Sequence, residues 1–394
     1  MDHRIIIFTG KGGVGKSSVA AAHALKSASQ GKSTLLVSTD MAHNLGDIFE
    51  VSLGREIKNI SQDLDLYEID PQTVMEEDFA DIMKYLTGLV SQKDVFGLED
   101  LGMLPGMEEL FSLLKIAQLH NSRVYDRIIV DCAPTGETLS LLKFPELLSW
   151  YMEKLFPIGK VGVRILSPVS KQIFQIEMPD RHAMNDIEKM FLKLMELEEL
   201  LKNREITSIR IVTTPEKMVV EETKRNYMYM NLYDFNVDGL YINRILPRDI
   251  NNHFFDEWLT IQQKYITELK ETFAALPIRQ IPWYEEELRG TENIERIVRD
   301  VLTGEDVFET GVIREREHFE QTEEGYLLKV RIPGADKNDI DLYQGATDVV
   351  IRTGNVKRNI PLPNILRDYA VSGAKFEDGV LNIRFGKGGD QDDE

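Results

Sequence analysis

Cysteine is almost absent from this chain. Of 394 residues only Cys132 is a cysteine, so no disulfide can form within the chain and no cysteine-rich zinc or metalloid site can be built from it. We therefore expect no structural zinc, and a reducing, cytoplasmic location. A lone cysteine of this kind is best interpreted as a small buried apolar side chain.

Positive charge and long apolar runs are also scarce. Lys and Arg together number 46 against 66 Asp and Glu, a net charge of −20. This balance argues against general binding to nucleic acids or anionic membranes, because both need basic patches. No uninterrupted apolar run reaches about 18 residues, so we expect no membrane-spanning helix. A strand and a functional loop fill the first residues, where a signal peptide would need an apolar segment.

Most of the chain alternates short apolar runs with helical patterns. Arg4–Phe8, a glycine-rich loop, a helix of small residues at Lys16–Gln30 and an apolar run at Leu35–Ser38 form a βαβ unit. Continuous apolar strands are typical of a parallel sheet covered on both faces. The pattern predicts a doubly wound, mostly parallel α/β domain over residues 1–303, with helical insertions near 75–120 and 147–202. The further strands expected are Leu66–Ile69, Arg127–Asp131, Ile209–Thr213, Gly239–Asn243 and Ile278–Ile281.

The second insertion carries apolar side chains at helical spacing. One interpretation is a groove for a hydrophobic client segment, because flexible, Met-rich surfaces suit varied apolar partners. The other is the core of a helical subdomain or a dimer contact, and the sequence leaves both open. The face consists of Ile187, Met190, Phe191, Leu194, Leu197 and Leu201.

The last part of the chain has a different texture, with short alternating segments separated by turn formers. Tyr326–Ile332 alternates apolar and polar residues, and Asp378-Gly379 is typical of a tight turn. The pattern predicts an all-β antiparallel sandwich. Its expected limits are 312–386, after a linker at 304–311 and before a disordered acidic tail at 387–394.

The loop after the first strand fits a phosphate-binding pattern. Gly10 to Ser17 read Gly-Lys-Gly-Gly-Val-Gly-Lys-Ser, which matches G-x-x-x-x-G-K-[ST]. Glycines let backbone N–H groups curl around phosphate oxygens, and the next helix points its N-terminus at the same place. We expect Lys16 to reach the β- and γ-phosphates of ATP and Ser17 to hold Mg²⁺. A chance glycine-rich turn is the alternative. The predicted nucleotide-binding residues here are Gly10, Lys11, Gly12, Gly13, Val14, Gly15, Lys16, Ser17 and Ser18.

Two aspartates follow predicted strands. In open α/β sheets the ligand binds at the edge formed by the carboxyl ends of the strands. Asp131 closes an apolar strand and is expected to hold Mg²⁺ directly or through water. Asp40 is then free to orient or deprotonate an attacking water, and its alternative role is to cap a helix.

Several segments together resemble the ArsA family and the related targeting factor for tail-anchored membrane proteins. Ser38–Leu45 resembles their switch I and Asp131–Leu139 their switch II. The resemblance covers about residues 1–300 and implies ATP hydrolysis, with Asp40 acting on the water. Further matching blocks are Pro105–Glu109, Thr213–Glu216, Asn243-Arg244 and Pro282–Gly290.

The extra lysine in the loop, Lys11, marks the deviant Walker motif of the class that contains ArsA, MinD and nitrogenase iron protein. In that class this lysine reaches the nucleotide of the partner subunit. The resemblance therefore implies a homodimer, with Lys11, Lys16 and Asp40 as catalytic residues. A solvated surface lysine is the alternative.

The resemblance also implies contacts to other parts of the nucleotide. Asn243 matches the residue that reads the adenine edge, and Pro282-Trp283 lie in the loop that covers the ring. A strand-end turn residue is the alternative for Asn243. Asn44 is a candidate contact for the γ-phosphate, or else a turn asparagine.

Some positions depart from the family. Met41 stands where proline is usual and Glu137 where histidine is usual, so the coupling between the switches is expected to have its own character. The metalloid-binding cysteines are absent, as is the Cys-x-x-Cys pair that holds zinc in the eukaryotic targeting factor. The sandwich resembles an α-crystallin (small heat-shock protein) domain without the usual isoleucine-x-isoleucine tail, and a passive appendage is the alternative for it.

Three functions compete. The first is an ATP-switched homodimeric chaperone or targeting factor for hydrophobic protein segments, with a membrane receptor as a further partner. The second is an ATPase subunit of an arsenite or metal exporter, against which the missing cysteines argue. The third is a MinD-like regulatory switch, which normally needs an amphipathic terminal helix that this acidic tail does not offer.

Overall fold

The chain forms two compact units, Met1–Thr207 with Glu286–Thr303, and Ser208–Glu285 with Gly304–Glu394. Within the described residues, no helix combines the length and the apolar character needed to cross a bilayer. The structure is a computed structural model. It describes residues 3–40, 44–77, 107–132, 193, 195–233, 235–250, 252–303, 307–309, 317–322, 325–345, 348–354, 356–366 and 369–387.

The first unit is built on a sheet with strand order β3-β4-β2-β5-β1. Its neighbours pair in parallel except β3, which is antiparallel to β4. The apolar runs predicted β1, β2, β4 and β5 to within two residues at each end. They did not predict β3, because its sequence, Lys-Asn-Ile-Ser, is polar and alternately exposed at the sheet edge. The strands are β1 (Arg4–Thr9), β2 (Thr34–Ser38), β3 (Lys58–Ser61), β4 (Leu64–Glu68) and β5 (Arg127–Asp131).

The helices follow the expected alternation with the strands. Four alanines of the first helix, Ala20, Ala21, Ala22 and Ala24, are fully buried, because small side chains let a helix lie close to a sheet. In chain order the described helices are α1 (Lys16–Ser29), α2 (Asn44–Phe49), α3 (Pro71–Glu77), α4 (Met107–Asn121), α5 (Lys217–Leu232), α6 (Asp256–Thr272) and α7 (Gly290–Val301).

The two predicted insertions are described only in part. In the first, α4 packs against α3 and buries Leu110 and Phe111, so this end of the insertion belongs to the core of the first unit. In the second, Leu197 and Leu201 are buried within a helical stretch at 195–202. The remaining members of the predicted apolar face, Ile187, Met190, Phe191 and Leu194, lie outside the described residues.

The second unit continues the α/β pattern. Strands β6 (Thr207–Thr213), β7 (Val237–Ile245) and β8 (Ile278–Pro282) pair in parallel, with α5 and α6 as the crossovers between them. Each strand includes its predicted run and extends beyond it. The mostly parallel sheet and its helices, together with a separate antiparallel β domain, confirm the predicted fold class.

The C-terminal part of the second unit is an antiparallel sandwich of two sheets, in the orders β14-β15-β10-β9 and β11-β12-β13. The predicted tight turn is present, since Asp378 and Gly379 both have positive φ (51° and 72°) between β14 and β15. Of the predicted tail at 387–394, Lys387 is the last residue of a strand and the rest lies outside the described residues. The strands are β9 (Glu317–Thr322), β10 (Gly325–Arg331), β11 (Ile340–Gln344), β12 (Asp348–Thr353), β13 (Val356–Pro361), β14 (Tyr369–Glu377) and β15 (Val380–Lys387).

The sandwich shares its hydrophobic core with helix α5. Leu232 and Met228 of α5 belong to the same buried cluster as the inward-facing side chains of both sheets. The Thr353 hydroxyl lies 3.9 Å from the Met228 sulfur, and the Tyr233 hydroxyl donates to the Lys357 carbonyl at 3.2 Å. The sandwich is therefore packed into the second unit through a continuous core.

The segment predicted as a linker is held by a buried arginine. Arg210 of β6 donates from Nε to Asp238 Oδ1 at 3.1 Å and from a guanidinium nitrogen to the Val307 carbonyl at 2.5 Å. Val307 and Phe308 are themselves buried. Burial by itself lowers the pKa of Arg210, but the Asp238 carboxylate outweighs this and raises it. The guanidinium thus stays charged and fixes the start of the C-terminal segment.

Candidate functional site

The loop between β1 and α1 has the backbone that its glycines predict. Gly10, Gly13 and Gly15 have φ of 152°, 82° and 89°, values that residues with a Cβ rarely adopt. Gly15 is the N-cap of α1, and no side chain caps this end. Lys16 is buried, and its Nζ lies 3.4 Å from the Lys11 carbonyl oxygen. Backbone N–H groups at the start of α1 thus lie beside a lysine ammonium, an arrangement suited to an anion.

Asp131 lies at the centre of the carboxyl edge of the sheet. Strand β5 runs between β1 and β2, so Asp131 pairs in register with Phe8 on one side and Ser38 on the other. Its carbonyl accepts from Thr39 N at 3.0 Å, and Cys132 N donates to the Phe8 carbonyl at 3.1 Å. Cys132 is buried, as predicted. These backbone hydrogen bonds fix the position of Asp131 at the edge of the sheet.

The Asp131 carboxylate is buried and lacks ordinary hydrogen bonds. It is 1% exposed, and within the described part of the chain neither oxygen accepts a hydrogen bond of good geometry. Burial raises its pKa to about 6, the nearby Ser17 hydroxyl and Lys16 ammonium lower it, and Asp40 raises it. The structure therefore brings together Lys16, Ser17, Asp40 and Asp131 from the phosphate loop, β2 and β5.

Asp40 follows β2 at the same edge. Its backbone N–H donates to the Ser38 hydroxyl at 3.1 Å. Helix α2 begins at Asn44, four residues later. The residues between, including Met41, lie outside the described residues, as do the side chain of Asn44 and Glu137.

The residues predicted to contact adenine lie at or near the ends of two neighbouring strands of the second unit, β7 and β8. Asn243 is buried within β7, and its side-chain oxygen accepts from Arg244 N at 2.8 Å. Trp283 N donates to the Ile245 carbonyl at 2.8 Å, which joins the end of β8 to the end of β7. Trp283 is 54% exposed and directly follows Pro282. Strand β7 continues to Ile245, but its pairing with β8 is irregular between Ile242 and Ile245 and Arg244 has a φ of 57°, so Asn243 borders a local break in the strand.

One polar residue at the sheet edge was not predicted. Glu68 is the last residue of β4, pairs in register with Ser38 and is buried. Its Oε1 accepts a hydrogen bond from Gly46 N in α2 at 3.1 Å. No motif includes this residue. The available signal in the sequence is that a carboxylate residue follows directly after an apolar run.

Comparison with known proteins agrees with this geometry. The model of the anion-transporting ATPase family ArsA matches residues 3–303, and that of an HSP20-like domain found in ArsA matches residues 323–385. The chain belongs to the ArsA ATPase family. It is accordingly an ATP-hydrolysing enzyme, and the predicted resemblance is confirmed for both parts of the chain.

Individual relatives span most of the chain. A protein of Chlorobaculum tepidum, named as a candidate arsenical pump-driving ATPase, is 35% identical over 97% of this chain and 96% of its own length. A protein of Aquifex aeolicus with the same kind of name is 33% identical over 96% and 99%. The protein named ATPase get3 from Pyrenophora tritici-repentis is 28% identical over 74% of this chain and 89% of its own length.

Proposed function

We propose that this ArsA-family ATPase hydrolyses Mg²⁺-bound ATP at the edge formed by the phosphate loop, Asp40 and Asp131. The observation that carries the proposal is the Asp131 carboxylate, which is buried, has no partner of ordinary hydrogen-bond geometry in the described part of the chain, and has the Ser17 hydroxyl and the Lys16 ammonium beside it. A buried carboxylate without such partners is costly unless a cation occupies its neighbourhood.

Mg²⁺ fits this donor set. It prefers hard oxygen ligands, commonly one or two protein oxygens with waters and phosphate oxygens. The Ser17 hydroxyl and the Asp131 carboxylate are such ligands, and the Ser17 hydroxyl lies close enough to lower the pKa of Asp131. When bound, Mg²⁺ neutralises charge that develops on the phosphates. Glycine N–H groups and Lys16 then hold the phosphate oxygens.

Asp40 is assigned to the attacking water. It stands at the end of β2, one strand from Asp131, and its charge raises the pKa of Asp131, so the two carboxylates are near each other. Of these two carboxylates, Asp131 then binds the cation and Asp40 orients or deprotonates the water. Lys11, Asn44, Asn243, Pro282 and Trp283 complete the proposed nucleotide contacts, with Lys11 reaching the partner subunit of a homodimer.

The test compares Asp40→Asn with Asp47→Asn, an exposed aspartate on α2 that serves as a matched control. We expect Asp40→Asn to bind ATP but to lower kcat by about 100-fold or more, the range lost with a general base. It should also hold ATP and retain the dimer in light scattering, while Asp47→Asn stays close to wild type. Normal turnover in Asp40→Asn would remove Asp40 from this role.

We further propose that the ATP cycle of this protein, in the cytoplasm, controls the binding of hydrophobic protein segments. The supporting observation is the HSP20-like sandwich, which is packed onto α5 through a shared core. A membrane receptor would then be the destination of the client. Binding of a labelled apolar helical peptide, measured in ATP and in ADP with the Asp40→Asn variant included, tests this. Equal affinity in both nucleotides contradicts it.

The names of the relatives favour a second candidate, an ATPase that drives an arsenical pump. A single buried cysteine gives arsenite no cluster of thiols within one chain. ATP turnover measured with and without arsenite separates the two candidates, and arsenite stimulation would favour the pump.

A further inference from the structure

The first turn of helix α2 donates a hydrogen bond to the last residue of a neighbouring strand of the sheet. The Oε1 atom of Glu68 accepts the Gly46 N–H at 3.1 Å. Glu68 is 9% exposed and closes β4, where it pairs in register with Ser38. On its other side Ser38 pairs with Asp131, and its hydroxyl accepts from Asp40 N. Glu68 is therefore one strand away from the residue that holds Asp40.

Gly46 is the point where α2 is held from two directions. Its N–H goes to Glu68 and its carbonyl accepts from Val51 N at 2.9 Å. A Cβ on Gly46 would lie 2.9 Å from the Val51 carbonyl oxygen, closer than real Cβ atoms come. The backbone here has little freedom to adjust, so a shift at Gly46 moves the helix as a whole.

The apolar contacts of α2 do not by themselves define its position. Leu45 and Phe49 are buried and determine which face of the helix meets the protein. Apolar contacts are non-directional, whereas a hydrogen bond to a carboxylate oxygen fixes distance and angle. The Glu68 contact thus adds a fixed distance and direction to the packing of α2 on α1 and α7.

We propose that Glu68 is a positioning residue for ATP turnover, which fixes α2 and thereby the far end of the short segment that links it to Asp40. The inference rests on the proposed function, because it gives Asp40 the attacking water. Three residues separate Asp40 from α2, so the position of the helix limits the positions that the Asp40 carboxylate can reach. Misplacement of a catalytic group by about 1 Å costs up to about 100-fold in rate.

The experiment uses three substitutions of Glu68 in the full chain. Glu68→Gln keeps an oxygen at the same reach and preserves the Gly46 contact. Glu68→Asp keeps the charge but is one methylene shorter, about 1.5 Å, and loses the contact. Glu68→Leu loses both, and Glu68→Asp serves in its place if the leucine variant does not fold. Kinetics of ATP hydrolysis and hydrogen exchange of the α2 amides are measured for each, together with Gly46→Ala.

We expect Glu68→Asp and Glu68→Leu to lower kcat about ten-fold or more with KM changed less than about two-fold. Amides of α2 should exchange about ten-fold faster in both, because the hydrogen bond that holds the first turn of the helix is lost. Glu68→Gln should stay near wild type, and Gly46→Ala should behave like Glu68→Leu. Wild-type kcat in Glu68→Asp, or an equal loss in Glu68→Gln, would overturn the proposal.

The exchange measurement needs no ATP turnover. If Asp40→Asn turns over normally, the proposed role of Asp40 fails while the attachment of α2 by Glu68 is still measured directly. If exchange of α2 is unchanged in Glu68→Asp, the positioning proposal fails whatever the Asp40 variant does.

Discussion

The shared core between the sandwich and α5 makes a sharp prediction about unfolding. Ile351 of β12 is fully buried in the cluster that also contains Met228 and Leu232 of α5. Ile351→Ala removes three carbons from that cluster. Because the core is continuous, we expect the loss to destabilise α5 and the strands it connects as well as the sandwich.

The magnitude follows from the buried surface. Three lost carbons at about 0.8 kcal/mol each give roughly 2.4 kcal/mol, and the residual cavity brings the cost to about 3–4 kcal/mol. Ile365 is 60% exposed at a turn of the same sandwich and is the matched control. Its change to alanine should alter the free energy of unfolding by less than about 0.5 kcal/mol.

Tryptophan fluorescence reports unfolding of the parts of the chain outside the sandwich. The chain has three tryptophans, Trp150, Trp258 and Trp283, and none lies in the sandwich. Trp258 and Trp283 stand on α6 and just after β8 in the second unit. In denaturant, Ile351→Ala should shift the fluorescence transition to lower concentration together with the circular dichroism transition. A fluorescence transition that does not move, beside a separate early loss of β-structure, would refute the shared core.

Two further predictions concern buried charges. Arg210→Met removes the guanidinium that faces the buried Asp238 carboxylate and should lower the free energy of unfolding by about 3–5 kcal/mol. Adding Asp238→Leu should recover most of this loss. Denaturant unfolding of the single and double variants checks the prediction, and additive losses would contradict it. For Asp131 the folded pKa, about 6, exceeds the usual 3.8, so the metal-free protein loses stability as pH rises from about 4 to about 6 and carries the full penalty above that range. Asp131→Asn should therefore raise the unfolding temperature in chelator at pH 8, with a smaller gain at pH 5; a gain that is larger at pH 5 would contradict the assigned cause.

Local signals in the sequence are sufficient to predict much of the candidate site. The phosphate loop could be predicted because its conformation depends on glycines at fixed spacing, a property of a few consecutive residues. Asp40 and Asp131 could be placed at one edge because parallel strands end on the same side of a sheet. The apolar runs of β1 and β5 predicted those strands closely, since both are covered on two faces.

Contacts between distant polar groups could not be predicted in this way. Glu68 and Gly46 are 22 residues apart and meet only because β4 lies beside β2. Arg210 in the middle of an apolar strand was a sign that a buried partner exists, but not that the partner is Asp238 or that it also holds Val307. Neither contact is encoded in any single segment.

The sequence by itself therefore determined the ArsA-type phosphate loop, the alternation of parallel strands with helices apart from β3, and the presence of a C-terminal sandwich, because these depend on short-range patterns of glycine, apolar and turn-forming residues. Tertiary structure alone decided that Asp131 is buried without ordinary hydrogen bonds among the described residues, that Glu68 holds α2, and that α5 completes the core of the sandwich. These features arise from pairing and packing between segments far apart in the chain, where the physical cause is which strand lies beside which.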